Sequence, residues 1–129
     1  MAGRYVTLEG VALAWPPEPR LAVLVGAIGP RTLRLAGELA DGVILTERTT
    51  PDGVRISVSQ VARRAEEGFS VVSFVDVRDT PPLGEIADLA QRYFDAGATT
   101  VALHSVGDAR PPLVDFARRI GEEVAPLLR

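Results

Sequence analysis

Seven consecutive residues, Gly26-Ala27-Ile28-Gly29-Pro30-Arg31-Thr32, have the composition of a turn that holds an anion. The glycines let backbone come close to a bound group, and Pro30 suits the first position of a helix. The free N–H groups of that helix then point at whatever sits above the end of the preceding strand. An ordinary strand-to-helix turn uses the same residues, and both readings stand at this level. His104 is the only histidine of the chain. It falls near the end of an apolar run, where an imidazole polarises a carbonyl or moves a proton, or simply fills the end of a strand. Thr46, Glu47 and Arg48 follow a second apolar run, and Asp76, Val77 and Arg78 end a third. Their charges suit recognition of a polar substrate, and equally suit pairing with one another as solvated loop ions.

Four strand–helix units position these residues. The first is a strand over Leu21–Ala27 and a helix over Pro30–Ala40, with Leu33, Ala36, Leu39 and Ala40 at helical spacing. The second is a strand over Gly42–Thr46 and a helix over Pro51–Glu67, faced by Val54, Val58, Val61, Ala62 and Ala65. A strand over Ser70–Val77 and a helix over Pro82–Ala96 follow, with Ile86, Leu89, Ala90, Tyr93 and Phe94 as the stripe. The last is a strand over Thr100–Val106 and a helix over Pro112–Leu128, faced by Leu113, Ala117, Ile120 and Val124. The strands are near-continuous apolar runs, as expected of parallel strands covered on both faces, and the alternation argues an α/β fold. Gly68 and Gly97 stand where helices end. Asp41-Gly42 reads as a tight turn at the opposite, structural end. Tyr5–Leu13 alternates enough for a small hairpin, and Trp15-Pro16-Pro17-Glu18-Pro19 is an extended linker whose tryptophan has the size to clamp onto a neighbouring surface.

Composition narrows the chemistry. The 129 residues make one domain's worth of chain, and 47% hydrophobic content suffices for a core. The net charge of −3 and pI near 5.1, with arginines dispersed among acids, give no nucleic-acid footprint. No apolar run approaches the ~20 residues of a membrane span, and Met1-Ala-Gly-Arg-Tyr begins no signal peptide, so a cytoplasmic location is expected. Cysteine, lysine and asparagine are absent. That removes disulfides, thiolate and Schiff-base catalysis, the P-loop lysine and N-glycosylation, and one histidine cannot make a multi-histidine metal site.

The string Gly26–Arg31, followed by Leu33-Arg-Leu-Ala-Gly-Glu-Leu-Ala-Asp-Gly42 and the apolar Val43–Leu45, resembles the C-terminal half of the luciferase-like monooxygenase family of flavin- and deazaflavin-dependent oxidoreductases. Tyr93–Gly107 is similar to that family's last helix and eighth strand. A small open sheet of flavodoxin type also fits the pattern of elements. The resemblance favours four parallel βα units forming half of a (β/α)8 TIM barrel over residues 20–129, after an N-terminal hairpin and proline linker over residues 1–19. It implies that Gly26, Ala27, Ile28, Gly29, Arg31 and Thr32 approach the phosphate of coenzyme F420 or FMN. It also puts His104 at the catalytic mouth of the barrel, with Thr46, Glu47, Asp76 and Arg78 on a substrate rim. The family's first four βα units have no counterpart here, and Val77–Pro82 directly bridges a gap where its members carry a long helical excursion. Two functions are therefore expected: a truncated or split oxidoreductase domain for hydride transfer or monooxygenation, or a non-catalytic remnant acting as an assembly or ligand-binding module. Beyond cofactor and substrate, the expected partner is a second copy or a complementary half-barrel chain. The edges to be closed are Leu21–Ala27 and Thr100–Val106, with Val25, Leu45, Val72 and Leu103 on one sheet face or the other.

Overall fold

The computed structural model describes residues 5, 7, 9–12, 14–16, 18–46, 49–61 and 68–129. The elements are β1 (Leu24–Gly26), α1 (Pro30–Leu39), β2 (Gly42–Leu45), α2 (Pro51–Gln60), β3 (Ser70–Arg78), α3 (Leu83–Asp95), β4 (Thr100–Val106) and α4 (Leu113–Arg119). A π-helical turn (Ile120–Val124) and a 3₁₀ turn (Ala125–Leu127) continue α4. The sheet order is β1-β2-β3-β4 and every pairing is parallel. That sequential order is the half-barrel arrangement and excludes the flavodoxin alternative, whose order reverses at the first strand.

Proline or threonine starts each helix. Pro30 and Pro51 occupy first-turn positions, and the Thr50 hydroxyl accepts from the Gly53 amide at 3.1 Å. Pro82 and Pro112 cap α3 and α4. The end of α3 is closed by the Ala98 amide on the Tyr93 carbonyl and the Gly97 amide on the Phe94 carbonyl, a paired C-terminal cap. Gly68 has φ of +93°, but α2 ends at Gln60, where Val61 turns extended at φ −82° and ψ 114°, short of the expected Glu67; residues 62–67, with Ala62 and Ala65 of the expected helix face, lie outside the described residues.

Side chains alternate cleanly across the sheet. On β3, Val71, Ser73, Val75 and Val77 are buried, while Phe74, Asp76 and Arg78 are exposed. The register extends the two sets. Val25, Val43, Leu45, Val101, Leu103 and Ser105 share the helix-covered side. Leu24, Ile44, Val72, Phe74, Ala102, His104 and Val106 share the other. Of the four residues expected on one face or the other, Val72 lies on the uncovered side, and Val25, Leu45 and Leu103 turn to the helices. Two apolar clusters fill the covered side. One joins Leu33, Ala36, Val43, Leu45, Val54, Val58 and Val75 beneath α1 to α3. The other joins Val77, Ile86, Ala87, Phe116 and Val124 beneath α4.

Three further expectations change. β1 begins at Leu24 because the Val23 amide donates to the Asp41 carboxylate at 2.8 Å instead of entering a ladder. Asp41 also holds Arg20 at 2.6 Å, in keeping with its structural reading. Leu39 is exposed, and α1 buries Gly37 beside Leu33 and Ala36. On α4, Leu113 and Ala117 are exposed while Phe116 is buried, as is Val124 in the turn that follows; among the described residues no strand lies beyond β4 on which to lay the exposed flank. Among the described residues no strand precedes Leu24. Val6, Leu8 and Leu13 of the expected hairpin lie outside the described residues. Trp15 is 89% exposed and clamps nothing among the described residues.

Candidate functional site

The turn after β1 is built as the residue types dictate. Ala27 is buried, and its amide donates to the Ile44 carbonyl at 3.1 Å, fixing the strand end. Ile28 points outward, 74% exposed. Gly29 is the N-cap of α1, extended at φ −90° and ψ 147°, with no side chain capping the helix and no acid in its first turn. The Leu33 amide is the first to find a helical acceptor, the Gly29 carbonyl at 3.0 Å. The amides of Arg31 and Thr32 lead the helix, with the partial positive charge of its dipole behind them. A Cβ built on either Gly26 or Gly29 meets nothing within 4 Å, so the space above the turn admits a group in contact with backbone. Arg31 and Thr32 are exposed and bring a cation and a hydroxyl to the same edge.

Across the sheet, Asp76 of β3 and His104 of β4 are direct register partners on the uncovered side. The His104 Nδ1 and Asp76 Oδ1 lie 3.2 Å apart. An imidazole that donates from Nδ1 to a carboxylate keeps Nε2 as an acceptor for a substrate proton. Phe74, Ala102, Leu103 and Val106 complete a cleft of about 520 Å³ around the pair. Arg78 sits one register step further out, beside Val106, and is not Asp76's partner. Thr46 is exposed at the end of β2. Glu47 and Arg48 lie outside the described residues. The structure thus joins Asp76 to His104 and leaves the Gly26–Thr32 turn two strands from Asp76 and three from His104, roughly 10 and 14 Å at about 4.8 Å per strand.

Two connections escaped the sequence reading. The Tyr93 hydroxyl donates to the Thr49 carbonyl at 2.9 Å, tying α3 to the loop after β2. Burial raises the Tyr93 phenol above its ordinary value of 10; Arg92 opposes this and Asp76 adds to it. Asp79, at φ +58°, locks the loops after β3 and β4 together. Its amide donates to the Val106 carbonyl at 2.8 Å, and its carboxylate accepts from Ala109 at 3.4 Å. A Cβ on Gly107 would strike that carboxylate, so the Asp79–Gly107 contact requires glycine. An acid just past one strand and a glycine just past the next were the available signals.

The model of the luciferase-like monooxygenase family matches residues 1–81. The chain belongs to the luciferase-like monooxygenase family. The matched span contains the Gly26–Thr32 turn and the strands β1 to β3, and stops just before the Pro82 cap of α3. Two solved structures share the fold of this luciferase-like chain. One is a coenzyme F420-dependent tetrahydromethanopterin reductase from Methanopyrus kandleri, 18% identical with a TM-score of 0.62, aligned over 84% of this chain and 51% of its own. The other is an F420-dependent secondary alcohol dehydrogenase in complex with an F420–acetone adduct, 16% identical with a TM-score of 0.80, aligned over 100% of this chain and 55% of its own. The luciferase-like chain spans about half the length of both. Among its described residues no helix is long and apolar enough to cross a membrane, and no group of three or more acidic or histidine side chains is placed to hold a metal.

Proposed function

We propose that this chain is the tail-holding half of a luciferase-like oxidoreductase, in which the Gly26–Thr32 turn binds the phosphate of coenzyme F420, with FMN as the alternative. One observation carries the reading. The leading amides of α1 open onto free space above Gly26 and Gly29, with Arg31 alongside and neither a capping side chain nor an acid to neutralise them. A phosphate there gains charge-assisted hydrogen bonds from the Arg31 and Thr32 amides and the Arg31 guanidinium. A bound deazaflavin or flavin supplies the hydride chemistry. The chain's own part is to hold the tail and present the uncovered sheet face to the substrate. On that face Asp76 fixes the His104 ring, and Nε2 takes or returns a proton. Arg78 and Thr46 stand at the rim that selects a polar substrate.

The second reading is a ligand-binding or assembly module without turnover. Calorimetric titration with F420, FMN and inorganic phosphate, followed by a turnover assay with the cofactor that binds, separates the two. Saturable F420 or FMN binding weakened by phosphate and by Arg31→Ala supports the site. Binding without turnover supports the module. No binding by folded protein leaves the turn purely structural.

A further inference from the structure

Strand β3 outruns its neighbour β2. The β2 pairing ends at Leu45 with Ser73, whereas the β4 pairing continues from Val72 to Arg78. Among the described strands, Phe74–Arg78 is therefore held by β4 alone. The Asp76–His104 pair sits in this overhang. Its side chains are 40% and 64% exposed, and a pair so wetted does little to fix its own alignment. The backbone around it has to do so.

The overhang ends in a clasp. Among the described residues Asp79 is the one non-glycine residue with positive φ, at +58°, a conformation that persists where the surroundings over-determine it. Here they do. The Asp79 amide donates to the Val106 carbonyl at 2.8 Å, one step past the Arg78–Val106 register pair. The left-handed turn then swings the carboxylate onto the loop after β4, where Oδ1 accepts from the Ala109 amide at 3.4 Å. The Thr80 hydroxyl donates to the Ala109 carbonyl at 3.2 Å. Gly107, at φ +101°, admits the carboxylate, which a Cβ would strike. Consecutive residues after β3 thus hold both backbone groups of one residue after β4. Asp79 follows Asp76 by three positions, and Gly107 follows His104 by three, so the clasp stands at one level above the pair on both strands. All of these contacts lie between β3, β4 and the loops that follow them. They are the same whatever pairs with the outer edges of the sheet.

We propose that Asp79 is a positioning residue for the Asp76–His104 pair, a role that rests on the reading of His104 as the proton carrier. It acts on the imidazole through the two strand ends. By pinning the loop after β4 to the end of β3, it prevents the overhang from splaying at the level of the pair. His104 Nδ1 then stays on the Asp76 carboxylate, and Nε2 stays free to accept. Thr80 makes the second bond of the same clasp.

The one histidine of the chain makes this readable. Long-range proton–nitrogen spectra of nitrogen-15-labelled protein at pH 8.5 report which imidazole nitrogen carries the proton. In the parent it should be Nδ1. Asp76→Ala should lower the Nδ1–H fraction at least two-fold and sets the scale. Asp79→Gly keeps the left-handed backbone and deletes the carboxylate; Gly107→Ala drives a methyl into it. Each should give more than half of the Asp76→Ala change, with the sheet amide resonances still native. Asp79→Asn keeps an acceptor oxygen and tolerates the left-handed turn, and should restore the parental fraction. Thr80→Val, which removes only a surface hydroxyl, is the milder variant if the others fail to fold, and should shift the fraction in the same direction. A parental fraction in every folded clasp variant overturns the proposal. So does a parent protonated on Nε2, or an Asp79→Asn protein as altered as Asp79→Gly. The cofactor turn fails separately: a parent that binds neither F420 nor FMN removes the Gly26–Thr32 reading and leaves the tautomer shifts standing.

Discussion

Gly42 opens β2 at the centre of the β1-β2-β3 junction, on the uncovered side of the sheet. A Cβ there would sit 2.5 Å from the Leu24 Cδ2, 2.5 Å from the Ser70 carbonyl oxygen and 2.8 Å from the Ser70 Cβ. The leucine methyl is the end of a half-exposed side chain and can rotate aside. The carbonyl cannot, because it belongs to the β2–β3 pairing. Its contact falls 0.9 Å short of the 3.4 Å at which ordinary packing begins, so the strands themselves must part. Forced backbone shifts of this kind cost about 1–3 kcal/mol. The lower unfolded-state entropy of alanine offsets about 0.4–1 kcal/mol of that. Gly42→Ala should therefore destabilise the protein by roughly 1–2 kcal/mol. In urea, with a slope of about 1.5 kcal/mol per molar, the midpoint falls by about 1 M. Gly84→Ala is the matched control. It lies inside α3 with nothing within 4 Å of the added carbon, and should raise stability by about 0.5–1 kcal/mol. Both are measured at one fixed protein concentration, because association shifts apparent stability. A Gly42→Ala protein as stable as the parent, or the same sign for both variants, would refute the strand register that produces the clash.

Three further outcomes are expected. Tyr93→Phe removes the bond to the Thr49 carbonyl and should cost about 0.5–1.5 kcal/mol in urea melts at pH 7. Because the folded phenol titrates above its unfolded value of 10, its stabilising share is complete below pH 10 and is lost as pH climbs from there through the raised folded value; the phenylalanine variant should lack that alkaline decline, and an identical decline in both would assign it elsewhere. Arg31→Ala should weaken F420 or FMN binding by about 1–3 kcal/mol, and Gly29→Val should weaken it more by blocking close backbone approach; calorimetry showing parental affinity in both would remove the turn from the site. Ser73 is fully buried with a hydroxyl that has no partner among the described residues, so Ser73→Ala should stabilise thermal unfolding by about 1 kcal/mol, and a clear loss would disclose a bond to that hydroxyl.

The covered side of this fold was readable because it is periodic. β4 spans the expected Thr100–Val106, and α3 buries Ile86, Ala90 and Tyr93 at the expected spacing. Phase failed where an element has a neighbour on one side only. The apolar run at Leu21 stays out of β1, where the Val23 amide bonds the Asp41 carboxylate. The expected Leu113–Ala117 face of α4 is solvent-facing because among the described residues no strand follows β4, and the π-helical turn at Ile120 then changes the helical phase. At the site, the turn over Gly26–Thr32 was legible because its residues are contiguous. The Asp76–His104 contact was not. It joins residues 28 apart, and their alignment depends on loop and helix lengths that local patterns do not measure. Asp79 escaped for a related reason, since its value lies in a left-handed backbone and a neighbouring loop.

The sequential strand order bears on how such a chain leaves the ribosome. Paired residues lie 18, 28 and 28 positions apart at the three strand junctions, so no strand waits for a distant segment before it can add to the sheet. Each βα unit docks on the one made just before it, and loop-closure entropy is met in small, similar instalments. The order of synthesis and the order of the sheet coincide. Appending a further βα unit by gene duplication would thus extend the ladder at β4 without rethreading any earlier strand.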